Sequence, residues 1–333
     1  MSAPLTVVTG GTGFLGANVV RQLLERGHRV RCLTRKSSPG LCLDGLDVEL
    51  DQTPLDDVEG LKRALDGATY VAHLAGIFDP SPGGEGRMFD VHVGATRALC
   101  DASLAVGVKR LLLCSSSVTV GFGPLEAPGD EQTPVDADRV YGTTGALRAY
   151  YDSKLDAEAL VVQHAQDCVT VNPDYILGAW DIKPTSGQLV LMMAQRWLPV
   201  YPRGGKCFMD AVACALGHIE ALERGVANER YLLGDHNLSY REFMGIVAEV
   251  TGQRPPVLPF PRRAAKLVGV VGAIGSRFDE HRFAGMDGRV LASMGEQRYR
   301  DGSKAISAFD LPRTPVRESV QTCVDWFREH GRL

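Results

Sequence analysis

The 333-residue sequence predicts an α/β fold in which a doubly wound parallel sheet is followed by a smaller C-terminal lobe. Three observations lead to this prediction. Short β-branched runs alternate with longer segments of helical periodicity through the first half, as is typical of parallel βαβ units. A glycine-rich turn joins the first run to the first helical segment. After Pro173 the alternation loosens, and proline and glycine divide the segments.

The elements of the first half are predicted in chain order. Strands are expected at 5–9, 29–34, 47–50, 69–74, 110–115 and 168–171. Helices are expected near 14–26, 57–66, 89–106 and 147–166. In the second half, helices are expected near 186–197, 210–224 and 240–251, before a proline-rich joint at 255–261. At least one segment of this half is expected to return to the first domain.

Composition and charge exclude several classes of function. The net charge is −4 and the pI about 6.1, so no strongly basic field can hold nucleic acid or an anionic membrane. The eight cysteines form no C-x-x-C pair, and we interpret them as reduced packing residues, with no metal site. The longest apolar stretch, 267–274, is too short to span a bilayer, and because a strand pattern starts at Leu5 we expect no signal peptide. We expect a cytoplasmic monomer or homodimer whose partner is a small molecule.

The turn after the first strand reads Thr9-Gly-Gly-Thr-Gly-Phe-Leu-Gly16. Its first glycine can make a tight turn, its third lets the backbone approach a pyrophosphate, and its last allows close packing of helix and strand. The N-terminus of the helix then offers free N–H groups to the phosphates. This pattern predicts a dinucleotide-binding Rossmann domain, expected over 1–176. The residues of the turn expected at the cofactor are Gly10, Thr12, Gly13, Phe14, Leu15 and Gly16.

The end of the second strand indicates which dinucleotide binds. NAD sites usually carry an acidic residue there for the ribose 2′-OH, but Cys32-Leu-Thr34 is followed here by Arg35 and Lys36. Two cations match a 2′-phosphate, so we expect NADP rather than NAD. The alternative is that both belong to an ordinary solvated loop. Asp51 and Gln52, after the third strand, are expected near the adenine, although Asp51 could equally be a turn or cap residue.

Tyr150 and Lys154 lie four residues apart on a predicted helix, so their side chains share one face. A phenol ordinarily titrates at about pH 10, and a nearby ammonium favours the phenolate. The pair therefore has the composition of an acid/base catalyst. The strand at 110–115 brings Ser115-Ser-Ser117 to its C-terminal edge, where open α/β sheets bind ligands.

With these motifs the chain resembles extended short-chain dehydrogenases/reductases of the NAD-dependent epimerase/dehydratase superfamily, in particular proteins similar to dihydroflavonol-4-reductase and to hopanoid-associated sugar epimerases. The likeness covers nearly the whole chain. Besides the glycine turn, it rests on His73-Leu-Ala75, Gly107-Val-Lys-Arg-Leu111, Tyr150-x-x-Ser-Lys-x-x-Ala-Glu158, Asn172-Pro173, Asp181-x-Lys-Pro184 and Glu229-Arg-Tyr-Leu-Leu-Gly234.

The resemblance implies roles for the catalytic residues. Ser117 would hydrogen-bond the substrate oxygen and Tyr150 would be the acid/base. Lys154 would bind the nicotinamide ribose and lower the pKa of the tyrosine. Ser115 and Ser116 are the alternatives to Ser117, and Tyr151 is the alternative to Tyr150 although it breaks the spacing. Further cofactor contacts are implied for Leu74, Ala75, Gly76, Ser115, Pro173 and Ile176, for which plain strand-end packing is the alternative.

Two departures from the family pattern concern the active site and the substrate lobe. His92 occupies a position where such proteins often have an asparagine, and a lone histidine on a helix is more often packed than catalytic. In the second half, Ala213 replaces a carboxylate commonly found there. Because Ala213 and the altered Gly178-Ala-Trp-Asp181 lie in the expected substrate lobe, 177–333, the identity of the substrate does not follow from the family.

Ketone reduction, or oxidation of a secondary alcohol, is the simplest chemistry for these residues. Val118 and Thr119 occupy the positions where a dehydratase needs an Asp-Glu pair, which disfavours dehydration. The alternatives are an NAD(P)-dependent sugar epimerase, a 3β-hydroxysteroid dehydrogenase-like enzyme and a non-catalytic NADP-binding sensor. Segment 121–144 is expected to close over the substrate as a lid. An uncharged, partly apolar substrate is expected because few basic residues accompany the expected lining, namely Phe78, Met88, Phe89, Phe122, Met192, Met193, Trp197 and Phe208.

Overall fold

The computed structural model describes residues 3–37, 40–260 and 294–333. Within them the chain forms two main sheets and a short two-stranded one. The strands are β1 (Leu5–Thr9), β2 (Arg29–Leu33), β3 (Glu49–Asp51), β4 (Tyr70–His73), β5 (Arg110–Cys114), β6 (Cys168–Pro173), β7 (Tyr175–Leu177), β8 (Val200–Tyr201), β9 (Gly205–Asp210), β10 (Arg230–Leu233), β11 (His236–Ser239), β12 (Leu258–Pro259) and β13 (Gln297–Arg298).

Helices connect and cover these strands. A π-helical turn, Asp90–Gly94, separates the third and fourth helices, and a 3₁₀ turn, Ser117–Thr119, follows β5. The α-helices are α1 (Phe14–Glu25), α2 (Val58–Ala64), α3 (Gly84–Phe89), α4 (Ala95–Val106), α5 (Ala137–Tyr141), α6 (Ala146–Gln163), α7 (Gln188–Gln195), α8 (Ala211–Arg224), α9 (Tyr240–Thr251), α10 (Ser303–Phe309) and α11 (Val316–Glu329).

The larger sheet has seven strands in the order β3-β2-β1-β4-β5-β6-β10, and all of its pairings are parallel. The predicted doubly wound α/β sheet is therefore confirmed. Its six expected strands all form, and the seventh, β10, comes from the second half of the chain and pairs with β6. The division into lobes at 176/177 stays a prediction.

Side chains of successive strand residues point to opposite faces, and this alternation builds the two layers around the sheet. Val8 lies in a buried cluster with residues of α1 and α8 on one face. Val7 lies in a second cluster with residues of α2, α4 and α6 on the other. Because both faces are covered, the central strands β1, β4, β5 and β6 are almost continuously buried, as expected for a parallel sheet.

The smaller four-stranded sheet is centred on β9. Strand β9 pairs antiparallel with β11 along one edge and parallel with β7 and β13 along the other. Helices α7, α9 and α11 cover it, and Phe208 of β9 stacks on Phe243 of α9 with 4.3 Å between ring centroids. Asp174, between β6 and β7, is paired with Lys206 and with Arg300, which is only 1% exposed. This buried ion pair joins the two main sheets.

The segment 121–144 is attached at several points. The Arg300 guanidinium donates to the carbonyl oxygen of Gly121 across 3.2 Å, and Gly123 forms a β-bridge with Tyr299. The Glu131 carboxylate accepts from the backbone N–H of Leu232 in β10. These contacts attach the segment to β10 and to the residues that follow β13, and its closure over the substrate stays a prediction.

Other structural expectations can be compared with the described residues only. All eight cysteines are free and buried, as expected for packing residues. In the described ranges, no helix is long and apolar enough to cross a membrane, and no three His, Cys, Asp or Glu side chains are grouped as metal ligands. The apolar stretch at 267–274 lies outside the described residues.

Candidate active site

The glycine turn between β1 and α1 has the shape of a phosphate cradle. Gly10 has a φ of 74°, and a Cβ atom there would lie 2.7 Å from the backbone nitrogen of Ala75, so only glycine fits. Helix α1 begins after Gly13, where no described side chain caps the helix and no acidic residue lies in the first turn. By contrast, Asp210 caps α8. The start of α1 therefore keeps its N–H groups for an anion, which fits a dinucleotide pyrophosphate.

The other predicted residues of this region lie around the same turn. The backbone nitrogen of Leu74 donates to the carbonyl of Thr9, and that of Ala75 donates to the Thr9 hydroxyl across 3.1 Å. The end of β4 is thus joined to the glycine turn. Thr12, Phe14 and Leu15 are half-buried, Gly13 is exposed and Gly16 is buried.

Arg35 and Lys36 are exposed just beyond the end of β2. Across the described ranges, neither side chain forms an ion pair, so both cations are free to meet an anion. Asp51 ends β3, and its carboxylate accepts a 2.7 Å hydrogen bond from the backbone of Thr53. This contact fits the alternative role of Asp51 as a turn residue, and Gln52 beside it is exposed.

Tyr150, in the second turn of α6, is half-buried between two rings. Phe78 and His92 each meet it edge-on, with 5.6 Å between ring centroids. Burial raises the pKa of the phenol, although a hydrogen bond with the Ser116 side chain acts in the opposite direction. The phenol is therefore protonated at neutral pH and can serve as a proton donor.

The three serines after β5 have different surroundings. The Ser115 hydroxyl donates to Glu158 and is buried. Ser116 is half-buried, and its side chain is near enough to the Tyr150 phenol to lower the pKa of that phenol. Ser117 is 3% exposed in the 3₁₀ turn. The geometry therefore favours the alternative Ser116 over Ser117 as the hydroxyl that acts with the tyrosine.

Lys154 lies one turn after Tyr150 and is 5% exposed. Its Nζ donates to the carbonyl oxygen of Cys114 across 3.1 Å, and burial lowers the pKa of the ammonium. A Cβ atom at Gly76 would lie 3.2 Å from this Nζ, so the lysine and the loop after β4 are in contact. The expected lowering of the Tyr150 pKa by Lys154 is not found: burial raises this pKa, and the group that lowers it is the Ser116 side chain.

Glu158 is a site residue that the sequence analysis included in a family motif without giving it a role. Its buried carboxylate accepts hydrogen bonds from Ser115, Thr119 and Asn172, and Arg230 donates to its second oxygen across 3.2 Å. The carboxylate thus fixes the serine segment to β6, β10 and α6. Its position four residues after Lys154, on the same helical face, was the available signal.

The residues expected to line the substrate site separate into two groups. Phe78 is 49% exposed beside Tyr150, whereas Met88, Met193 and Phe208 are buried core residues. The expectation that few basic residues accompany this lining is wrong at Phe122. Its ring has three guanidinium groups within 6 Å of its centroid, those of Arg139, Arg298 and Arg300.

Pro173 and Ile176 lie where β6 passes into β7. Pro173 pairs with Leu233 of β10, and Ile176 pairs with Met209 of β9 and belongs to the buried core. These contacts fit the alternative of strand-end packing. Their expected contact with the nicotinamide stays a prediction.

Comparison with known proteins shows the family, the proteins and the structures to which this chain is similar. A model of the NAD dependent epimerase/dehydratase family matches residues 6–200. A putative dihydroflavonol 4-reductase of Synechocystis sp. is 30% identical over 346 residues, covering 97% of this chain and 94% of that protein. Sterol demethylase protein B of Methylococcus capsulatus is 30% identical over 332 residues, covering 98% and 99%. The structure of a nucleoside-diphosphate-sugar epimerase from Pseudomonas aeruginosa matches with a TM-score of 0.80 at 26% identity, covering 99% of both chains.

Proposed function

The chain belongs to the NAD-dependent epimerase/dehydratase family as an NAD(P)-dependent oxidoreductase-type enzyme, and we propose that it is an NADP-dependent ketone reductase or secondary alcohol dehydrogenase. The observation that carries this proposal is the protonated phenol of Tyr150, held by Ser116 one helical turn from the buried ammonium of Lys154. A phenol in this setting can give a proton to a carbonyl oxygen.

The cofactor would be held along the C-terminal edge of the larger sheet. The glycine turn and the uncapped start of α1 would bind the pyrophosphate, and Arg35 with Lys36 would bind a 2′-phosphate. Lys154 would bind the nicotinamide ribose. When bound, the nicotinamide supplies or accepts the hydride at the carbon of the substrate.

The side chains of this protein bind the carbonyl oxygen and supply its proton. Tyr150 Oη and Ser116 Oγ donate hydrogen bonds to it and so stabilise the negative charge that develops there. The proton of Tyr150 Oη then passes to the oxygen and leaves a phenolate, to which the Ser116 hydroxyl can turn its hydrogen bond once the substrate oxygen is neutral. The Lys154 ammonium, fixed on Cys114, adds a positive charge beside the loop after β4. In the direction of oxidation, the phenolate accepts the proton of the alcohol.

The substrate is proposed to be uncharged and partly apolar at its reacting end. The exposed ring of Phe78 beside Tyr150 supports this, because it offers an aromatic surface at the catalytic phenol. The names of the two relatives described above refer to a dihydroflavonol and to a sterol, which are both uncharged polycyclic compounds.

A sugar-nucleotide epimerase is the second candidate function. The three guanidinium groups around Phe122 leave little free charge for an anion such as a diphosphate, because Arg139 and Arg298 are paired with Glu296 and Arg300 is paired with Asp174. The structural similarity to a nucleoside-diphosphate-sugar epimerase is what supports this candidate.

The two candidate functions differ in their substrates and in whether the cofactor is consumed. Neutral polycyclic ketones incubated with NADPH should consume the cofactor stoichiometrically, whereas an epimerase would interconvert UDP-sugars without net consumption. We expect consumption with at least one ketone class and no epimerisation. Epimerisation without reduction would replace the proposal by the second candidate, and cofactor binding without either reaction would indicate a sensor.

The choice of cofactor has its own test. NADPH should bind more tightly than NADH by about 1 to 3 kcal/mol, because one or two charge-assisted contacts to the 2′-phosphate form. Arg35→Ala should remove most of this difference. Arg97→Ala, an exposed arginine on α4, is the matched control and should leave it unchanged. Equal affinity of the unmodified protein for both cofactors would contradict the assignment of NADP.

A further inference from the structure

His92 lies in the π turn between α3 and α4 and is only 2% exposed. Its Nε2 accepts a hydrogen bond from the backbone nitrogen of Ile77 across 3.1 Å. Its Nδ1 lies 2.8 Å from the hydroxyl of Ser153, and that hydroxyl donates to the carbonyl oxygen of Tyr150 across 3.1 Å. One imidazole therefore connects the loop after β4 with the turn of α6 that carries the phenol.

The direction of each hydrogen bond in this chain is fixed. A backbone N–H can only donate, so the His92 Nε2 facing Ile77 must be unprotonated. The proton of the neutral imidazole is then on Nδ1, which donates to Ser153 Oγ. Ser153 in turn uses its own proton for the Tyr150 carbonyl. Burial and the nearby Lys154 ammonium lower the pKa of His92 to about 3, so this neutral form persists at neutral pH.

The same imidazole also touches the other parts of the site. Its ring meets the ring of Tyr150 edge-on at 5.6 Å. A Cβ atom at Gly76 would lie 3.4 Å from His92 Nε2 and 3.2 Å from Lys154 Nζ, so these three residues meet at one point. The loop bearing Gly76, the ammonium and the phenol thus share one rigid neighbour.

We infer that His92 is a positioning residue for the proposed reaction: as a fixed Nδ1–H tautomer it sets the distance between the loop after β4 and the Tyr150 turn. The inference rests on the proposed function, because the geometry it maintains is that of the phenol, the ammonium and the expected cofactor loop. His92 itself exchanges no proton with the substrate. Misplacing a reacting group by about 1 Å can lower a rate by about 100-fold, so replacing His92 can lower kcat by up to about this factor.

Three substitutions separate the two hydrogen bonds of the imidazole. The amide of His92→Asn reaches the position of Nδ1 and keeps the bond to Ser153. The longer amide of His92→Gln reaches the position of Nε2 and keeps the bond to Ile77. His92→Phe keeps a ring against Tyr150 and loses both bonds. The matched control is His218→Gln, because His218 is another buried histidine, bonded to Cys214 within α8 and outside this network.

The readouts are the kcat and KM for the ketone, the Kd for NADPH and the exchange rate of the Ile77 backbone amide. His92→Phe should lower kcat by about 10- to 100-fold while the ketone KM changes by less than about 3-fold. It should also speed exchange of the Ile77 amide, which has lost its acceptor. His92→Asn and His92→Gln should each recover part of kcat, and only His92→Gln should restore slow exchange at Ile77. His218→Gln should change neither quantity.

Several results would overturn the inference. Wild-type kcat in a folded His92→Phe protein is one, and an equal loss of kcat in His218→Gln is another, since it would indicate general packing. Unchanged exchange at Ile77 in His92→Phe would show that the link does not exist. If the unmodified enzyme turned over neither ketones nor alcohols, the proposed function would fail, and the Ile77 exchange rates would still decide the link.

Discussion

The ammonium of Lys154 donates a hydrogen bond to the carbonyl oxygen of Cys114, 3.1 Å away, where β5 ends. This contact fixes the helix that carries Tyr150 to the strand that leads into the three serines. The ammonium is thus bonded to the backbone, while burial raises the pKa of the Tyr150 phenol and keeps it protonated. Tyr150 thus begins the reductive reaction as a proton donor.

Removing the phenol hydroxyl separates catalysis from cofactor binding. Tyr150→Phe keeps the ring contacts with Phe78 and His92 but loses the proton donor. It should lower kcat by about 10²- to 10⁴-fold and leave the Kd for NADPH nearly unchanged. Tyr151→Phe, whose ring stacks on Tyr141, is the control and should be nearly silent in steady-state kinetics. Wild-type turnover in Tyr150→Phe would show that the tyrosine was assigned wrongly.

The two candidate serines can be compared directly. Ser116→Ala removes the hydroxyl that meets Tyr150 and should lower kcat by about 10- to 100-fold, since a donor to the developing oxyanion is lost. Ser117→Ala removes a buried hydroxyl from the 3₁₀ turn and should affect kcat by less than about 3-fold. Both are measured as kcat for ketone reduction. A larger loss in Ser117→Ala would return the role to the serine that the family resemblance implied.

Glu158 should be needed both for the stability of the fold and for activity. Glu158→Ala leaves Ser115, Thr119 and Asn172 without their shared acceptor and Arg230 without its partner. The free energy of unfolding should fall by about 3 kcal/mol in urea titrations, because breaking a buried pair leaves a poorly compensated charge.

The kcat of Glu158→Ala should fall as well, since the serine segment loses its support. Asp156→Ala, which removes an exposed carboxylate on the same helix, is the control. Equal stability of the two variants would exclude Glu158 as the support of the serine segment.

Three buried histidines should make the fold sensitive to mild acid. Burial lowers the pKa of His73 and His92 to about 3 and that of His218 to about 4. These values lie below that of an unfolded histidine, so the unfolded chain takes up protons first as the pH falls. Each histidine therefore contributes stability that is present above about pH 6.5 and is lost progressively toward its folded pKa.

Between pH 7 and pH 5 this loss should amount to about 2 kcal/mol for each histidine. Urea unfolding of His218→Gln should show a smaller decrease over this range than the unmodified protein, by about that amount. The comparison isolates one histidine, because all other titrating groups are shared. An identical decrease in both proteins would contradict the assignment of a neutral buried His218.

Local sequence patterns were sufficient to predict the helix face and the glycine turn on which the site is built. The spacing of Tyr150 and Lys154 placed both on one face of α6, and the glycine turn was predicted with its strand and helix. Both predictions depend on a regular period within one element, which the sequence alone contains. The role of Ser117 was less secure, because β5 ends at Cys114 and the serines follow in an irregular turn, where no period fixes the direction of a side chain.

The sequence by itself determined the order of the main strands and helices in the first half, the phosphate turn and the pairing of a tyrosine with a lysine, because these follow from periodicity and from short-range steric limits. Only the tertiary structure decided that Ser116 meets the phenol, that Glu158 joins four segments and that His92 links Ile77 to Ser153. These contacts join residues far apart in the chain. Which of them form depends on how the ends of strands and helices pack together, and that packing is a property of the whole fold.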